Sequence, residues 1–263
     1  MTVGLSTYAF FWQYHHTNPN PIGLDAMLDR TADLGAELFQ ICDYPRIEEF
    51  DAGALRDLRR HAERRGIALE LGTRGVTPVH LGRYLDLAKA LGVTLVRSMV
   101  DTDTDADDAV PLLRAALPAY ERAGVTIALE TYEKVATATL VDVVAAVGSP
   151  NLGICLDPAN CVAALEHPAE TIAKTAAWVR NIHVKDFAFT RKDGWVGFTL
   201  AGCPLGEGLL DYPALLAAVR PAERGINQVI EHWLPWQGDS ATTCELETVW
   251  TATNTETLRS WNS

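Results

Sequence analysis

Four residues that can ligate a metal occupy similar positions in the second half of the sequence. Each one ends or follows a short apolar run that is typical of a buried strand, and together they are Glu130, Asp157, His183 and Glu231. Three carboxylates brought to one place would repel one another and would be costly to bury without a cation between them. Oxygen-rich ligands with one imidazole suit Mn, Mg or Co, with Zn as a further candidate. The pattern predicts a divalent metal site.

A single acid at the end of a strand has a simpler explanation. Such a residue more often caps a helix or pairs with a cation. What favours a metal is that four consecutive strands of the second half each end in a residue able to ligate one. The prediction therefore depends on the elements that would bring these strand ends together.

One pattern recurs along the chain: a stretch with helical apolar spacing, a glycine, and a short apolar run that ends at a polar residue. The glycine suits the left-handed position after a helix, and the apolar run suits a strand buried on both faces. Helices that alternate with such strands predict parallel pairing through right-handed crossovers. We predict strands at 3–6, 36–41, 67–71, 93–96, 125–129, 152–156, 179–184 and 228–230, and helices at 25–34, 54–65, 81–91, 108–123, 139–147, 169–178, 212–219 and 245–261.

Eight such units in 263 residues favour an α/β fold, a single (β/α)8 TIM barrel that forms one domain over residues 1–263. No linker rich in Gly, Ser or Pro divides the chain into two smaller domains. A doubly wound open sheet is the alternative, but no GxGxxG motif follows the first strand. In a barrel, the C-terminal ends of the strands face the active-site mouth, so the four candidate ligands would lie together there.

The amino-acid composition excludes some classes of binding partner and indicates the compartment in which the protein works. With 34 acidic and 22 basic residues the net charge is −12, which repels phosphate backbones and anionic lipid, so we expect no nucleic acid and no membrane partner. No apolar run is long enough to cross a bilayer, and the N-terminus lacks the features of a signal peptide. Five scattered cysteines indicate neither a disulfide framework nor a thiolate zinc site, which favours a reducing cytoplasm.

Five segments resemble the xylose-isomerase-like TIM barrel superfamily of the AP endonuclease 2 type, which includes ketose 3-epimerases, hydroxypyruvate isomerase, inosose dehydratase and endonuclease IV. They are IALETY (127–132), GICLDPAN (153–160), NIHVKDF (181–187), PLGEGLLDY (204–212) and VIEHW (229–233). Their order and spacing cover the second half of the chain, whereas the first half matches only in its β/α rhythm. The motifs are specific for the superfamily and not for a substrate. Barrels of this kind often pair through their helices, so a homo-oligomer is possible, but the sequence does not determine the oligomeric state.

The resemblance implies that a divalent metal is held by Glu130, Asp157, His183 and Glu231. Glu130 and Glu231 would flank a bound sugar and pass a proton across its reacting carbon. Lys185, two residues past His183 on the same strand face, would hydrogen-bond a substrate oxygen or stabilise an enediolate. Its alternative is a surface lysine paired with Asp186.

One residue departs from the pattern of the family. Sugar epimerases of this group usually carry a His three residues after the metal-binding Asp, where it touches substrate, and this chain has Asn160 there. An amide can hydrogen-bond to substrate but cannot carry a proton at neutral pH, which argues against a plain ketose 3-epimerase.

Three further residues are candidate substrate contacts. Arg97 ends the fourth strand and would either meet a substrate carboxylate or pair with a neighbouring strand-end acid. His16 and Trp12 lie in the first β/α loop and would line the sugar pocket. Their simpler explanations are a solvated loop histidine and a packed indole.

The leading functional hypothesis is a divalent-metal-dependent isomerase or epimerase of a small ketose or related polyol. The metal would polarise a carbonyl, acidify the neighbouring C–H and stabilise the enediolate, with Glu130, Glu231 and Lys185 as catalytic residues. No Gly-rich or Arg-rich phosphate cradle is present, which favours an unphosphorylated substrate.

The alternative is a metal-dependent lyase, a decarboxylase or dehydratase of a keto-sugar or keto-sugar acid. Asn160 in place of His favours it, as do Arg97 and Lys185 as partners for a carboxylate. Endonuclease IV chemistry would need more histidines and a basic groove, which this acidic chain lacks. A sugar-binding barrel without catalysis is the remaining hypothesis.

Overall fold

A computed structural model of the protein describes residues 1–100, 104, 106–192 and 194–262. The strands within these residues are β1 (Val3–Ser6), β2 (Leu38–Cys42), β3 (Ala68–Gly72), β4 (Leu95–Ser98), β5 (Thr126–Glu130), β6 (Leu152–Leu156), β7 (Val179–Val184), β8 (Asp186–Arg191), β9 (Phe198–Cys203) and β10 (Asn227–Ile230). Eight of these strands pair in parallel and close a barrel in the order β1-β10-β7-β6-β5-β4-β3-β2. The prediction of a (β/α)8 barrel is confirmed.

Helices surround the barrel and follow the strands as the alternating pattern requires. They are α1 (Phe11–Tyr14), α2 (Leu24–Asp33), α3 (Ala52–Arg65), α4 (Pro78–Leu91), α5 (Ala106–Ala123), α6 (Thr137–Val147), α7 (Pro158–Val162), α8 (Pro168–Thr175), α9 (Tyr212–Val219), α10 (Pro221–Arg224) and α11 (Ser240–Trp261). Single 3-10 turns cover Thr7–Phe10, Pro45–Glu49 and Ala176–Trp178. None of the helices in the described residues has both the length and the apolar character needed to cross a membrane.

The core lies between the strands and the inward faces of the helices. On α3 the apolar stripe Leu55, Leu58 and Ala62 is buried, as its helical spacing predicts. Gly66 ends the same helix in the left-handed conformation, with φ of 70°. β2 and β6 are buried along their whole length, because the barrel interior covers one face and the helices cover the other.

An antiparallel hairpin, β8 with β9, was not predicted. The hairpin is separated from the end of β7 by one residue. The carboxylate of Asp186 connects the hairpin to the loop that follows β9. Asp186 Oδ1 accepts a hydrogen bond from the backbone N–H of Leu210, and Oδ2 accepts from those of Gly206 and Gly208. A Cβ at position 208 would collide with that carboxylate, so glycine is required there. The segment PLGEGLLDY therefore wraps around one buried acid.

Candidate metal centre and active-site cavity

The four candidate ligands meet at the C-terminal end of the barrel. Glu130 ends β5, Asp157 directly follows β6, His183 is the last residue but one of β7, and Glu231 directly follows β10. One ligand atom from each lies within 4.8 Å of every other, and all four side chains are buried. Parallel strands of a closed barrel bring these ends together although the residues are far apart in sequence.

The orientation of His183 is that of a metal ligand. Its Nδ1 lies 3.3 Å from Glu130 Oε1 and 3.4 Å from Glu231 Oε2, whereas its Nε2 lies 2.9 Å from Gln40 Oε1. Because an amide oxygen only accepts hydrogen bonds, Nε2 must carry the proton and donate it to Gln40. Nδ1 then faces the carboxylates, where it would give up its proton when it coordinates a metal held among them.

The residues present fit a divalent cation. Asp157 Oδ2 and His183 Nδ1 are both buried, and their close polar neighbours are the Lys185 ammonium for Oδ2 and the oxygens of Glu130 and Glu231 for Nδ1. Burial and the neighbouring carboxylates raise the pKa of Asp157 to about 6, because nearby Lys185 offsets their effect only in part. Buried polar atoms are nearly always satisfied, and a cation is the partner that three carboxylates and one imidazole suit. These four residues would hold the metal.

A buried polar network holds Gln40, and the sequence analysis missed it. Gln40 Nε2 donates to Glu70 Oε2 at 3.1 Å and to Asn181 Oδ1 at 3.3 Å. Glu70 also accepts from Asn181 Nδ2 at 3.0 Å and from Asn227 Nδ2 at 2.8 Å. Because both amide hydrogens of Gln40 are engaged in this way, its oxygen is left facing His183. Glu70 and Asn181 thus act on the candidate metal centre through Gln40.

Replacing Gln40 with leucine is expected to weaken Mn²⁺ binding about 10- to 100-fold, because the second ring nitrogen of His183 loses its acceptor. Isothermal titration of the metal-free protein with Mn²⁺ measures this. Gln228→Leu is the matched control, since Gln228 is also buried on a barrel strand but bonds to Tyr212, away from the ligands. Equal loss in the two variants would mean that only the stability of the barrel had changed.

Lys185 is buried between two of the candidate ligands. Its Nζ lies 2.8 Å from Asp157 Oδ2 and 3.1 Å from Glu231 Oε2, and it donates to Asn160 Oδ1 at 3.3 Å. Burial alone would lower its pKa, but the two carboxylates outweigh burial and raise the pKa above the usual range. The ammonium therefore stays charged. It is not a surface lysine paired with Asp186.

Both oxygens of Glu130 are engaged by other side chains. The buried guanidinium of Arg97 pairs with Oε2, and Asn160 Nδ2 donates to Oε1 at 2.8 Å. Burial would raise the pKa of Glu130, but Arg97 and His183 outweigh it and hold the pKa well below its usual range. Arg97 thus pairs with a strand-end acid, which was one of its two sequence interpretations. Glu231 has different partners, since its Oε1 accepts a hydrogen bond from Ser6 Oγ at 2.9 Å and its Oε2 lies 3.1 Å from Lys185 Nζ.

A cavity of about 530 Å³ opens at this end of the barrel, a size that suits a small molecule. Five of the residues singled out from the sequence contribute to its wall: Arg97, Glu130, Asn160, Lys185 and Glu231. Trp12 and His16 are absent from the wall that the described residues form. Trp12 Nε1 donates to Leu234 O at 2.8 Å, and His16 is exposed beside His15. Their contact with substrate stays a prediction.

The wall also contains residues that the sequence analysis did not select. Leu200 of the hairpin contributes to it, and so does Trp233, whose ring centroid lies 4.7 Å from Lys185 Nζ. Tyr8 and Arg74 lie in another part of the wall. Arg74 follows β3, so its position after a strand was a usable signal in the half of the chain where the family motifs are weak.

Comparisons with known proteins agree with this architecture. The family model described as a xylose isomerase-like TIM barrel matches residues 28–250. A 3-oxo-isoapionate decarboxylase of Pectobacterium atrosepticum is 55% identical over 254 residues, which cover 95% of this chain and 92% of that protein.

Two solved structures are similar in fold. D-psicose 3-epimerase with D-tagatose, from Clostridium cellulolyticum H10, has a TM-score of 0.73 and 15% identity, over 98% of this chain and 97% of that one. A xylose isomerase-like TIM barrel protein of Mycobacterium smegmatis in complex with magnesium has a TM-score of 0.70 and 16% identity, over 97% of both chains. At these identities the likeness concerns the fold alone.

Proposed function

The chain is an enzyme that belongs to the xylose isomerase-like TIM barrel family, and from that premise we propose that it is a metal-dependent decarboxylase of 3-oxo sugar acids. The candidate substrate is 3-oxo-isoapionate, since 55% identity over 95% of the chain to a decarboxylase of that acid is the observation that carries the proposal. From the sequence alone, an isomerase or epimerase is the leading hypothesis and a lyase is the alternative, and the decarboxylase relative favours the lyase.

The chemistry of a 3-oxo acid suits this site. Its ketone lies beta to the carboxylate, so the C–C bond can break with loss of CO2 while the bonding electrons move into the ketone as an enolate. One proton must then be added to the carbon that carried the carboxylate. A divalent ion, when bound, would supply the positive charge that polarises the ketone and stabilises the negative charge on its oxygen.

Lys185 is suited to stabilise the developing enolate. It lies on the cavity wall, and three neighbours fix its position: Asp157, Asn160 and Glu231. Because its pKa is held above the usual range, it acts as a fixed positive charge and not as a proton donor. A charge that is already in place when the enolate forms requires no rearrangement at that moment.

The two glutamates of the site differ in their surroundings, and the difference favours decarboxylation. Epimerisation requires one group that removes a proton and a second that returns it to the other face of the carbon. Glu130 is held as an anion by Arg97 and Asn160, so it is poorly suited to either task. Decarboxylation requires no proton to be removed, and the one proton that is added comes from solvent, with Glu231 on the wall positioned to relay it.

The test is incubation of the metal-loaded protein with 3-oxo-isoapionate in D2O. We expect one equivalent of CO2 for each substrate consumed and one deuterium on the product carbon, measured by a coupled bicarbonate assay and by proton NMR. D-fructose and D-tagatose serve as neutral comparison substrates, and we expect neither to be epimerised. Epimerised ketose without release of CO2 would reject the proposal and restore the epimerase hypothesis.

A further inference from the structure

A cluster of polar side chains borders the cavity beside the metal centre, and three of its members, Tyr8, Arg74 and Arg97, lie on the cavity wall. Asp43 is its centre. Oδ1 of Asp43 accepts from Arg97 Nη1 at 3.1 Å, and Oδ2 accepts from Arg74 Nε at 2.8 Å and from Tyr8 Oη at 2.9 Å. Arg74 Nη2 donates in turn to Tyr8 Oη at 3.0 Å. The guanidinium of Arg74 is thus fixed at two points.

We propose that Arg74 binds the carboxylate of the substrate and makes the cavity selective for sugar acids over neutral sugars. The inference deepens the proposed function and rests on it for the substrate class. A guanidinium binds a carboxylate through two parallel N–H bonds, and Arg74 Nη1 has no partner in the part of the chain that the structure describes. Its side chain is 58% exposed, so a ligand can reach it.

The other cations of the wall are less suited to this role. Lys185 has one partner for each of its three N–H groups. Arg97 is buried, with Nη1 bound to Asp43 and to Thr73 O and with Nη2 paired to Glu130. Lys134 is exposed at the cavity edge, without a recorded contact to any described residue that would fix its amine.

Preorganisation favours Arg74 over such a free lysine. A long side chain that is already held loses little rotamer freedom when it binds a ligand. Asp43, which holds Arg74, has a left-handed backbone with φ of 47°, uncommon outside glycine. Its carboxylate is kept in place by Arg97 as well as by Arg74. The position of Arg74 is therefore set by its contacts with Asp43 and Tyr8 before any ligand binds.

The charge of the loaded site agrees with an anionic substrate. Its carboxylates outnumber its cations by one: Asp43, Glu130, Asp157 and Glu231 against Arg74, Arg97 and Lys185. A divalent ion would turn this into one positive charge, which a monoanionic acid neutralises and a neutral ketose does not. Once the carboxylate has left as CO2, the contact with Arg74 is lost, which aids release of the neutral product.

Binding of two matched probes to the metal-loaded protein tests the inference without turnover. Threonate and threitol share one carbon skeleton and differ by a carboxylate in place of a hydroxymethyl group. We expect Arg74→Gln to weaken threonate binding about 10- to 100-fold in isothermal titration, the loss typical of a charge-assisted contact, and to change threitol binding less than twofold. Arg74→Lys keeps the charge but loses the planar guanidinium, so its affinity for threonate should lie between those of the wild type and Arg74→Gln. Arg83→Gln is the control, because Arg83 is an exposed arginine of α4 that pairs with Glu48 and does not line the cavity, and it should leave both affinities unchanged.

Several outcomes would overturn the inference. They are equal loss of both probes in Arg74→Gln, threonate binding that depends on the metal but not on Arg74, and wild-type protein that does not prefer threonate. Failure of the proposed function has a different signature. If the protein releases no CO2 from 3-oxo-isoapionate yet threonate binding depends on Arg74, the carboxylate site stands and the decarboxylase proposal falls. If CO2 is released while threonate binding does not depend on Arg74, the decarboxylase proposal stands and the carboxylate site is rejected.

Discussion

Replacing Lys185 with methionine is expected to lower kcat for decarboxylation about 10²- to 10³-fold, the typical loss when one fixed donor to a developing oxyanion is removed. The buried ammonium lies against two candidate ligands and on the cavity wall, where enolate charge would develop. Methionine keeps an unbranched side chain beside Trp233 but removes the charge. Because the charge matters most when the enolate forms, KM should change much less than kcat. Steady-state kinetics with saturating metal measure both.

The control for this variant is Lys174→Met on α8, an exposed lysine paired with Glu170 one helical turn away. It should leave both kinetic constants unchanged. Metal content must be measured alongside, since Lys185 contacts two of the candidate ligands. If the activity lost in Lys185→Met returned fully at higher metal concentration, the lysine would support metal binding and its role toward the enolate would be rejected.

The barrel was predictable because each of its units carries the same local signals. The predicted strands at 152–156 and 179–184 coincide with β6 and β7, and the one at 125–129 is displaced by one residue from β5. Continuous apolar runs locate β5 and β6 well, since both faces are buried and no alternation has to be recognised, and β7 is located by its position between two helical stretches although it contains polar residues. The candidate ligands were predictable for the same reason: each ends or directly follows a run, and closure of the barrel brings the strand ends together.

The hairpin was not predictable in this way. β8 follows β7 after one residue and is antiparallel, which breaks the rhythm of strand, helix and strand. Its position depends on Asp186, whose carboxylate binds backbone N–H groups 20 to 24 residues further along. A contact of that kind is specified by tertiary geometry and has no periodic signature in the sequence.

The polar network that holds Gln40 beside the metal centre was not predicted, for a different reason. Gln40 and Glu70 are single polar residues inside otherwise apolar strands, whereas Asn181 lies in a strand that also contains Arg180 and His183. Gln40 meets Asn181 across 141 residues of sequence. Alternation along a strand places such residues on the barrel interior. The sequence contains that signal, but which interior residues meet depends on the register of strands that are not neighbours. The contact of Gln40 with His183 arises only when the barrel closes.

Removing the metal is expected to abolish decarboxylation and to lower Tm by about 5–10 °C relative to protein with metal at 100 times its Kd. A ligand at that excess adds about 2.7 kcal/mol to the free energy of unfolding, and in a chain of this size each kcal/mol moves Tm by about 2–4 °C. The physical reason is the repulsion among buried carboxylates of Glu130, Asp157 and Glu231, which Lys185 and Arg97 offset only in part. Differential scanning calorimetry with and without a chelator measures the shift.

Asp157→Asn separates this effect from a general change in the fold. Asp157 Oδ1 accepts hydrogen bonds from the backbone N–H groups of Ala159 and Asn160 and so caps α7, a role that the amide oxygen of asparagine can keep. The metal ligand is lost while the cap survives, so Tm without metal should stay close to that of the metal-free wild type and should no longer rise when metal is added. The same metal-dependent rise in Asp157→Asn, or full activity in metal-free wild type, would contradict a cation held at this point, because no other described group of side chains in the chain offers a comparable set of ligands.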